Sequence, residues 1–213
     1  MSLSATSDLR QAFAPTGVLR ASINLGNPIL AGRDAAGELA GVSVDLALAL
    51  ASQLGLPLEL LPFEKAMKSV EAVKAEQADI GFFAIDPARS EGLRFTAPYV
   101  LIEGSYLVRA DSPLHDNADV DRAGTRIAVG TGSAYDLFLT REITAAQIER
   151  VASAEAVRES LRTGQVEVAA GIRQLLEEWA GADAALRLLP GRFMVIQQAM
   201  GLPAGRGEAA AQH

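Results

Sequence analysis

The stretch Asp79-Ile80-Gly81-Phe82-Phe83-Ala84-Ile85-Asp86-Pro87-Ala88-Arg89 decides the fold. From Asp79 to Ala84 it is an apolar run of strand length without polar alternation, which predicts a strand buried on both faces. Asp86-Pro87 then opens a helix. Arg89 sits one turn past that start, ahead of the exit Phe95-Thr96-Ala97-Pro98-Tyr99. A guanidinium offers a planar fork of donors that matches a carboxylate with two parallel hydrogen bonds. A short helix at the tip of a strand would aim that fork into a cleft. An isolated Arg at the surface would instead pair with Glu91.

Upstream, Val18 to Ile23 reads as a strand followed by the loop Asn24-Leu25-Gly26-Asn27-Pro28. Gly41-Val42-Ser43-Val44-Asp45-Leu46 opens an apolar helix running to about Leu54, stopped by Gly55 and Pro57. Leu58 to Leu61 is a short strand, and Met67, Val70 and Val73 mark an amphipathic helix ending near Gln77. This strand–helix alternation is that of an α/β lobe with a largely parallel sheet. Downstream, Ser105 to Arg109 is a strand, and Asp111-Ser112-Pro113 breaks the pattern. The cycle then restarts with strand Arg126 to Val129, loop Gly130-Thr131-Gly132 and helix Ser133 to Thr140. Helix Ala154 to Leu161, strand Val166 to Ala170, helix Arg173 to Trp179 and strand Arg187 to Leu189 follow. Phe193 to Ala199 is a last apolar strand. Two such cycles fit two lobes, residues 1–107 with 196–213 and residues 108–195, better than one sheet. Ligands of such folds sit where strands end and helices begin, and both Asp86–Arg89 and Gly130–Ser133 occupy that position.

The 213 residues are 49% hydrophobic and 21% charged, ordinary for a globular chain. A formal charge of −7 argues against nucleic acid or an anionic membrane as partner. Without cysteine there is no disulfide, zinc-thiolate site, Fe–S cluster or Cys nucleophile. No stretch approaches the roughly 20 apolar residues of a membrane span. The start, Met1 to Asp8, shows no signal peptide, which leaves a cytosolic protein or an exported one whose signal is not in this sequence.

Gly130-Thr131-Gly132-Ser133 can present backbone N–H groups to a ligand at a helix N-terminus. It lacks the third glycine of a dinucleotide fingerprint and the Gly-Lys-Ser/Thr of a P-loop, so no nucleotide cofactor is expected. One reading is a capping turn with Ser133 as N-cap. The other is an anion clamp, with Arg89 on one lobe and the Gly132 N–H on the other.

Four stretches in order then resemble the type II solute-binding proteins of ABC importers, polar-amino-acid family, over Leu19 to about Pro203. They are Gly41-Val42-Ser43-Val44-Asp45-Leu46, Asp86-Pro87-Ala88-Arg89 with Phe95-Thr96-Ala97-Pro98-Tyr99, Val120-Asp121-Arg122-Ala123-Gly124, and Gly130-Thr131-Gly132-Ser133. The resemblance implies an α/β clamshell of two lobes that close on a ligand about two crossing strands, here near Tyr106–Arg109 and Phe193–Gln197. It also implies a periplasmic, monomeric protein with a membrane permease as partner, no direct membrane insertion, no metal and no enzymatic activity. By the same resemblance Arg89 and the Gly132 N–H hold a ligand carboxylate, with Thr131 and Ser133 donating nearby.

The departures narrow the ligand. Counting from Gly164 places Ile172, followed by Arg173, where the family carries the acid that meets an α-ammonium group. Phe82, Phe83 and Ala84 stand where hydroxyl residues contact ligand, and the first loop offers Asn24 and Asn27 in place of an acid and an aromatic. The segment from Asp79 to Arg89 is shorter than the family's, and the family's final helix is not found before Gln212-His213. The ligand is then a carboxylate without an ammonium, or its ammonium meets Asp86 or Glu103, or Arg173 meets a second carboxylate. Arg173 also reads simply as a solvated residue of a first helical turn. The enzymatic alternative is a cyclohexadienyl dehydratase on the same fold, with Glu103, Asp86 or Tyr135 as proton donor. A sensor domain is a third reading. His115, in a polar loop, and the terminal His213 do not suggest a general base, and Glu177-Glu178 reads as a solvated helix face.

Overall fold

A computed structural model of the chain describes residues 3–206; Gln212 and His213 lie outside the described residues. The chain divides into two units, Met1–Val100 with Gln198–His213 and Leu101–Gln197. Those boundaries fall at the start of one long strand and inside another, some residues from the expected 107/108 and 195/196.

The first unit contains α1 (Leu3–Phe13), β1 (Leu19–Asn24), the small hairpin β2 (Gly32–Arg33) and β3 (Leu39–Ala40), and α2 (Val42–Leu54). Then come β4 (Leu58–Phe63), α3 (Ala66–Lys74), β5 (Ile80–Ala84), the single turn α4 (Pro87–Ser90) and β6 (Leu93–Phe95). Its sheet is completed from the far end of the chain by residues 198–203. The strand order is β4-β1-β5 followed by that last strand. β1 runs parallel to both β4 and β5, with Leu19 beside Leu58 and Ala21 beside Ile80. Asn24, Phe63 and Ala84 therefore end at one edge. All five residues of β5 are buried, as its unbroken apolar run requires.

α2 shows why the Gly41 motif reads as it does. Gly41 has φ +114°, and a Cβ there would lie 2.7 Å from the Leu30 carbonyl, so only glycine fits the helix entry. Val44, Ala47, Ala51 and Leu54, three or four residues apart, bury one face against β1 and β5. Gly55, in the left-handed region, closes the helix, and Leu56 N–H returns to the Ala51 carbonyl.

The second unit contains β7 (Val100–Arg109), β8 (Arg126–Gly130), α5 (Ala134–Glu142), β9 (Gln147–Val151), α6 (Ala154–Arg162), β10 (Val168–Ile172), α7 (Arg173–Ala182) and β11 (Leu186–Leu188). β12 (Met194–Pro203) begins in this unit and ends in the first. Here the order is β7-β10-β8-β9, with β11 on β7. β8 is parallel to β9 and β10, so Gly130, Val151 and Ile172 share one edge. Residues of the Val120–Gly124 motif hold this unit together. Both oxygens of Asp121 accept N–H groups of Thr144, Ala145 and Ala146, which fixes the turn into β9 and holds that carboxyl well below the usual range.

Four elements were not anticipated from the sequence: α1, the β2–β3 hairpin, β6 and β9. β9, Gln147-Ile148-Glu149-Arg150-Val151, is a polar edge strand with mostly exposed residues. β12 extends four residues beyond the expected Ala199, because Gly201, Leu202 and Pro203 pair with β6.

Candidate functional site

In the first unit the candidate residues gather at the carboxyl edge of the parallel strands. Asp86 is the N-cap of α4, accepting the Ala88 N–H at 2.9 Å, and Pro87 holds the first helical position. This capped turn sets Arg89, which is only 4% exposed and whose Nη1 lies 3.4 Å from the Ala84 carbonyl. Arg89 is thus no surface cation. Burial pushes its pKa down, against the attraction of Asp86, yet a guanidinium stays charged at any physiological pH.

Around it, Phe82 joins the cluster under α1 and α2 and meets Tyr99 edge-on at 6.5 Å. Phe83 points to the other face, packed with Val70, Val73 and Leu93. Burial raises the Tyr99 pKa to about 12. In the first loop Asn24 accepts the Gly26 N–H, whereas Asn27 is buried with its side-chain oxygen unmatched by any donor. Gln198, opposite Ala84 in the register of β12 and β5, is a buried amide whose oxygen is likewise without a donor. Sequence reasoning passed over Gln198 because it lies inside an apolar strand. Buried amide oxygens call for a donor, so this edge offers one cation and at least two acceptors.

The second unit ends its strands differently. Gly132 has φ +72°, a left-handed position suited to glycine. Ser133 is the N-cap of α5, accepting the Asp136 N–H at 3.1 Å, so the capping reading of this motif holds. The Thr131 N–H and hydroxyl both donate to the Val151 carbonyl, and the Ser133 N–H donates to Gly130. The Gly132 N–H donates to Asp136 Oδ2 at 2.8 Å. Asp136 itself is 4% exposed, and its other oxygen accepts from Arg150 Nε at 2.9 Å.

Ile172 ends β10 opposite Gly104 and is buried. Beside it Arg173 Nε lies 2.7 Å from Glu103 Oε2, and Glu103 Oε1 accepts from Arg192 Nη1 at 2.5 Å. Arg173 also reaches Glu177 at 3.3 Å and donates to the Gly191 carbonyl. The Arg192 bond, helped by Arg173, holds the Glu103 carboxyl below its ordinary range. Tyr135 is pushed up by burial, with Ser133 as hydrogen-bond partner. An ionised Glu103 has no proton to donate, whereas Tyr135 keeps its own. A groove of about 440 Å³ on α6 and α7 is lined by Glu155, Arg158, Glu159, Arg162 and Trp179. Its Arg162 and Glu159 pair with each other on helix surfaces, away from any strand end.

Strand ends of this kind on an α/β chain divided into two units are those of the type II periplasmic binding proteins, and solved structures show the same fold. The L-cysteine solute receptor of Neisseria gonorrhoeae is 24% identical over 92% of this chain and 80% of that one, with a TM-score of 0.77. Truncated ArgBP from T. maritima, arginine-bound, is 18% identical over 92% of both chains, with a TM-score of 0.77. An ancestral amino-acid-binding protein described as a precursor of cyclohexadienyl dehydratase is 19% identical over 92% of this chain and 86% of that one, with a TM-score of 0.75. Residues 19–185 match the model of the bacterial extracellular solute-binding proteins, family 3, and the chain belongs to that family. The resemblance drawn from the four motifs therefore holds. Among the described residues, no helix is long and apolar enough to cross a membrane.

Proposed function

We propose that this chain is the periplasmic solute-binding component of an ABC importer, taking up a small carboxylate-bearing solute for delivery to a membrane permease. The observation that carries the reading is Arg89, a buried guanidinium held at the carboxyl end of a fully buried strand by an Asp-capped, Pro-started turn. Such a fork matches a carboxylate. Ala84, Asp86 and Phe82 shape the wall around it, and Asn24, Asn27 and Gln198 meet the solute's own N–H or O–H groups; Phe83, packed on the opposite face of β5, takes no part.

A thermal-shift screen of amino acids against keto and organic acids tests the reading, because a ligand at 100 times its Kd stabilises by about 2.7 kcal/mol. In isothermal titration with a carboxylate hit, Arg89→Ala should lose about 100-fold or more in affinity. Its thermal stability without ligand should stay close to that of the parent. A hit that binds Arg89→Ala as tightly as the parent defeats the assignment.

A further inference from the structure

One buried amide of the first unit stands beside its buried cation. Gln198, with which β12 enters the first unit, lies opposite Ala84, the last residue of β5. The carbonyl of that same Ala84 accepts from Arg89 Nη1 at 3.4 Å. Residues opposite each other in an antiparallel pair turn their side chains to one face. Gln198 therefore shares the face of Ala84 and of Phe82, two residues back along β5. Met200, opposite Phe82, packs into the same apolar cluster as that ring. The Tyr99 N–H donates to the Gln198 carbonyl, and the Tyr99 ring meets Phe82 edge-on. Gln198 is 5% exposed, and among the described residues no group donates to its Oε1. The ladder between β12 and β5 is made by main-chain groups and needs nothing from this side chain. A buried carbonyl oxygen among rings and aliphatic chains costs stability until a donor reaches it.

We propose that Gln198 is a specificity-determining residue whose amide oxygen accepts a hydrogen bond from an N–H or O–H close to the solute's carboxylate. The protein then selects amino or hydroxy acids over keto acids and unsubstituted acids. The inference rests on the reading that Arg89 receives the carboxylate, and it concerns the first unit alone. Neighbouring strands lie about 4.8 Å apart, so a carboxylate on Arg89 brings its adjoining carbons near Gln198. A hydroxyl or amino group there supplies the donor that Oε1 lacks. A keto oxygen would set a second acceptor against it, and a methylene would leave it buried and unmatched. Sites built to hydrogen-bond a solute group reject analogues without that group.

The test uses matched sets, each on one carbon skeleton: alanine, lactate, pyruvate and propionate; leucine, leucate, ketoisocaproate and isocaproate; phenylalanine, phenyllactate, phenylpyruvate and phenylpropionate. Each is titrated calorimetrically into the parent protein, Gln198→Met and Arg89→Ala. In any set it binds, the parent should favour the amino or hydroxy member over the keto and unsubstituted ones by about tenfold or more. Gln198→Met keeps the length of the side chain and removes the acceptor. The preference should then shrink about tenfold, while the unsubstituted member binds no worse. The melting temperature of this variant without solute should not fall, because an apolar group replaces an unmatched buried oxygen. A parent that prefers or equally accepts a keto or unsubstituted member overturns the proposal. So does a Gln198→Met that weakens all members alike or leaves the preference intact. A variant that melts well below the parent, or does not fold, marks a structural amide and overturns it too. Arg89→Ala separates this inference from the reading beneath it. If that variant binds the unsubstituted member as the parent does, the carboxylate assignment fails. If it loses every member while the parent shows no preference, the Gln198 assignment fails alone. Binding of no member of any set sinks both.

Discussion

At the amino ends of their strands the two units use the same device. In the first, the Arg20 N–H and Nε both reach Asp79 Oδ2, at 2.9 and 3.0 Å, and Nη2 reaches Oδ1 at 2.8 Å. In the second, the Arg126 N–H and Nε reach Glu167 Oε2 at 2.8 and 3.1 Å, and Nη2 reaches Oε1 at 2.6 Å. The acid's own N–H returns to the arginine carbonyl in both, at 2.8 and 3.1 Å. Each acid precedes a strand parallel to the one that its arginine enters, Arg20 as the second residue of β1 and Arg126 as the first of β8, although no internal repeat is visible in the sequence. At the carboxyl ends the likeness stops. One unit buries a cation there and the other buries an acid neutralised by its own arginine. The units share what builds a parallel sheet and differ in the charge each buries where its strands end.

The shared device is not equally deep in the two units. The Asp79 side chain is fully buried and also accepts from Arg206 at 3.2 Å, whereas that of Glu167 is 32% exposed. Asp79→Ala should therefore lose about 3–5 kcal/mol in urea unfolding, because two guanidinium groups lose a buried partner. Glu167→Ala should lose under about 1 kcal/mol. Equal losses would erase this contrast. A smaller effect probes the carboxyl end, where Ser133→Ala should remove about 1 kcal/mol as a lost N-cap. No measurable loss would mean that Asp136 also sustains the helix start.

Acid gives a further distinction. Glu103, Asp121 and Glu167, all in the second unit, have pKa values lowered by Arg192, by backbone N–H groups led by Ala146, and by Arg126. A carboxyl whose folded pKa is depressed stabilises above its unfolded pKa of about 4 and loses that contribution as pH falls through the folded value. Trp179, the single tryptophan, lies in this unit and reports on it by fluorescence. Its urea midpoint should hold from pH 7 to about 5 and fall below about pH 4. A midpoint constant to pH 3 would contradict these interactions.

Much of the fold was legible because strands such as β5 and β10 are fully buried and announce themselves as apolar runs. Arg89 was legible too, since Asp-Pro fixes a helix start and counts out one turn. β9 was not, because an exposed edge strand of Gln, Glu and Arg carries no such pattern. Asp136 was passed over in the sequence. Its contact with Gly132 is local, but Arg150 reaches it from another strand, a pairing that spacing cannot disclose. Gln198 hid within an apolar run for the same reason. Which donors at the Gly130–Ser133 turn are already spent on the chain itself is a property of three-dimensional neighbours alone.

β12 has a consequence for how the molecule is made. Gly81 to Ala84 of β5 pair with Gln198 to Gly201, which leave the ribosome more than a hundred residues later. The second unit, continuous from Leu101 to Gln197, is complete by then. At 5–20 residues per second, one edge of β5 stands open for roughly 6–23 s of synthesis. During that interval the most apolar strand of the first unit is exposed to other nascent chains.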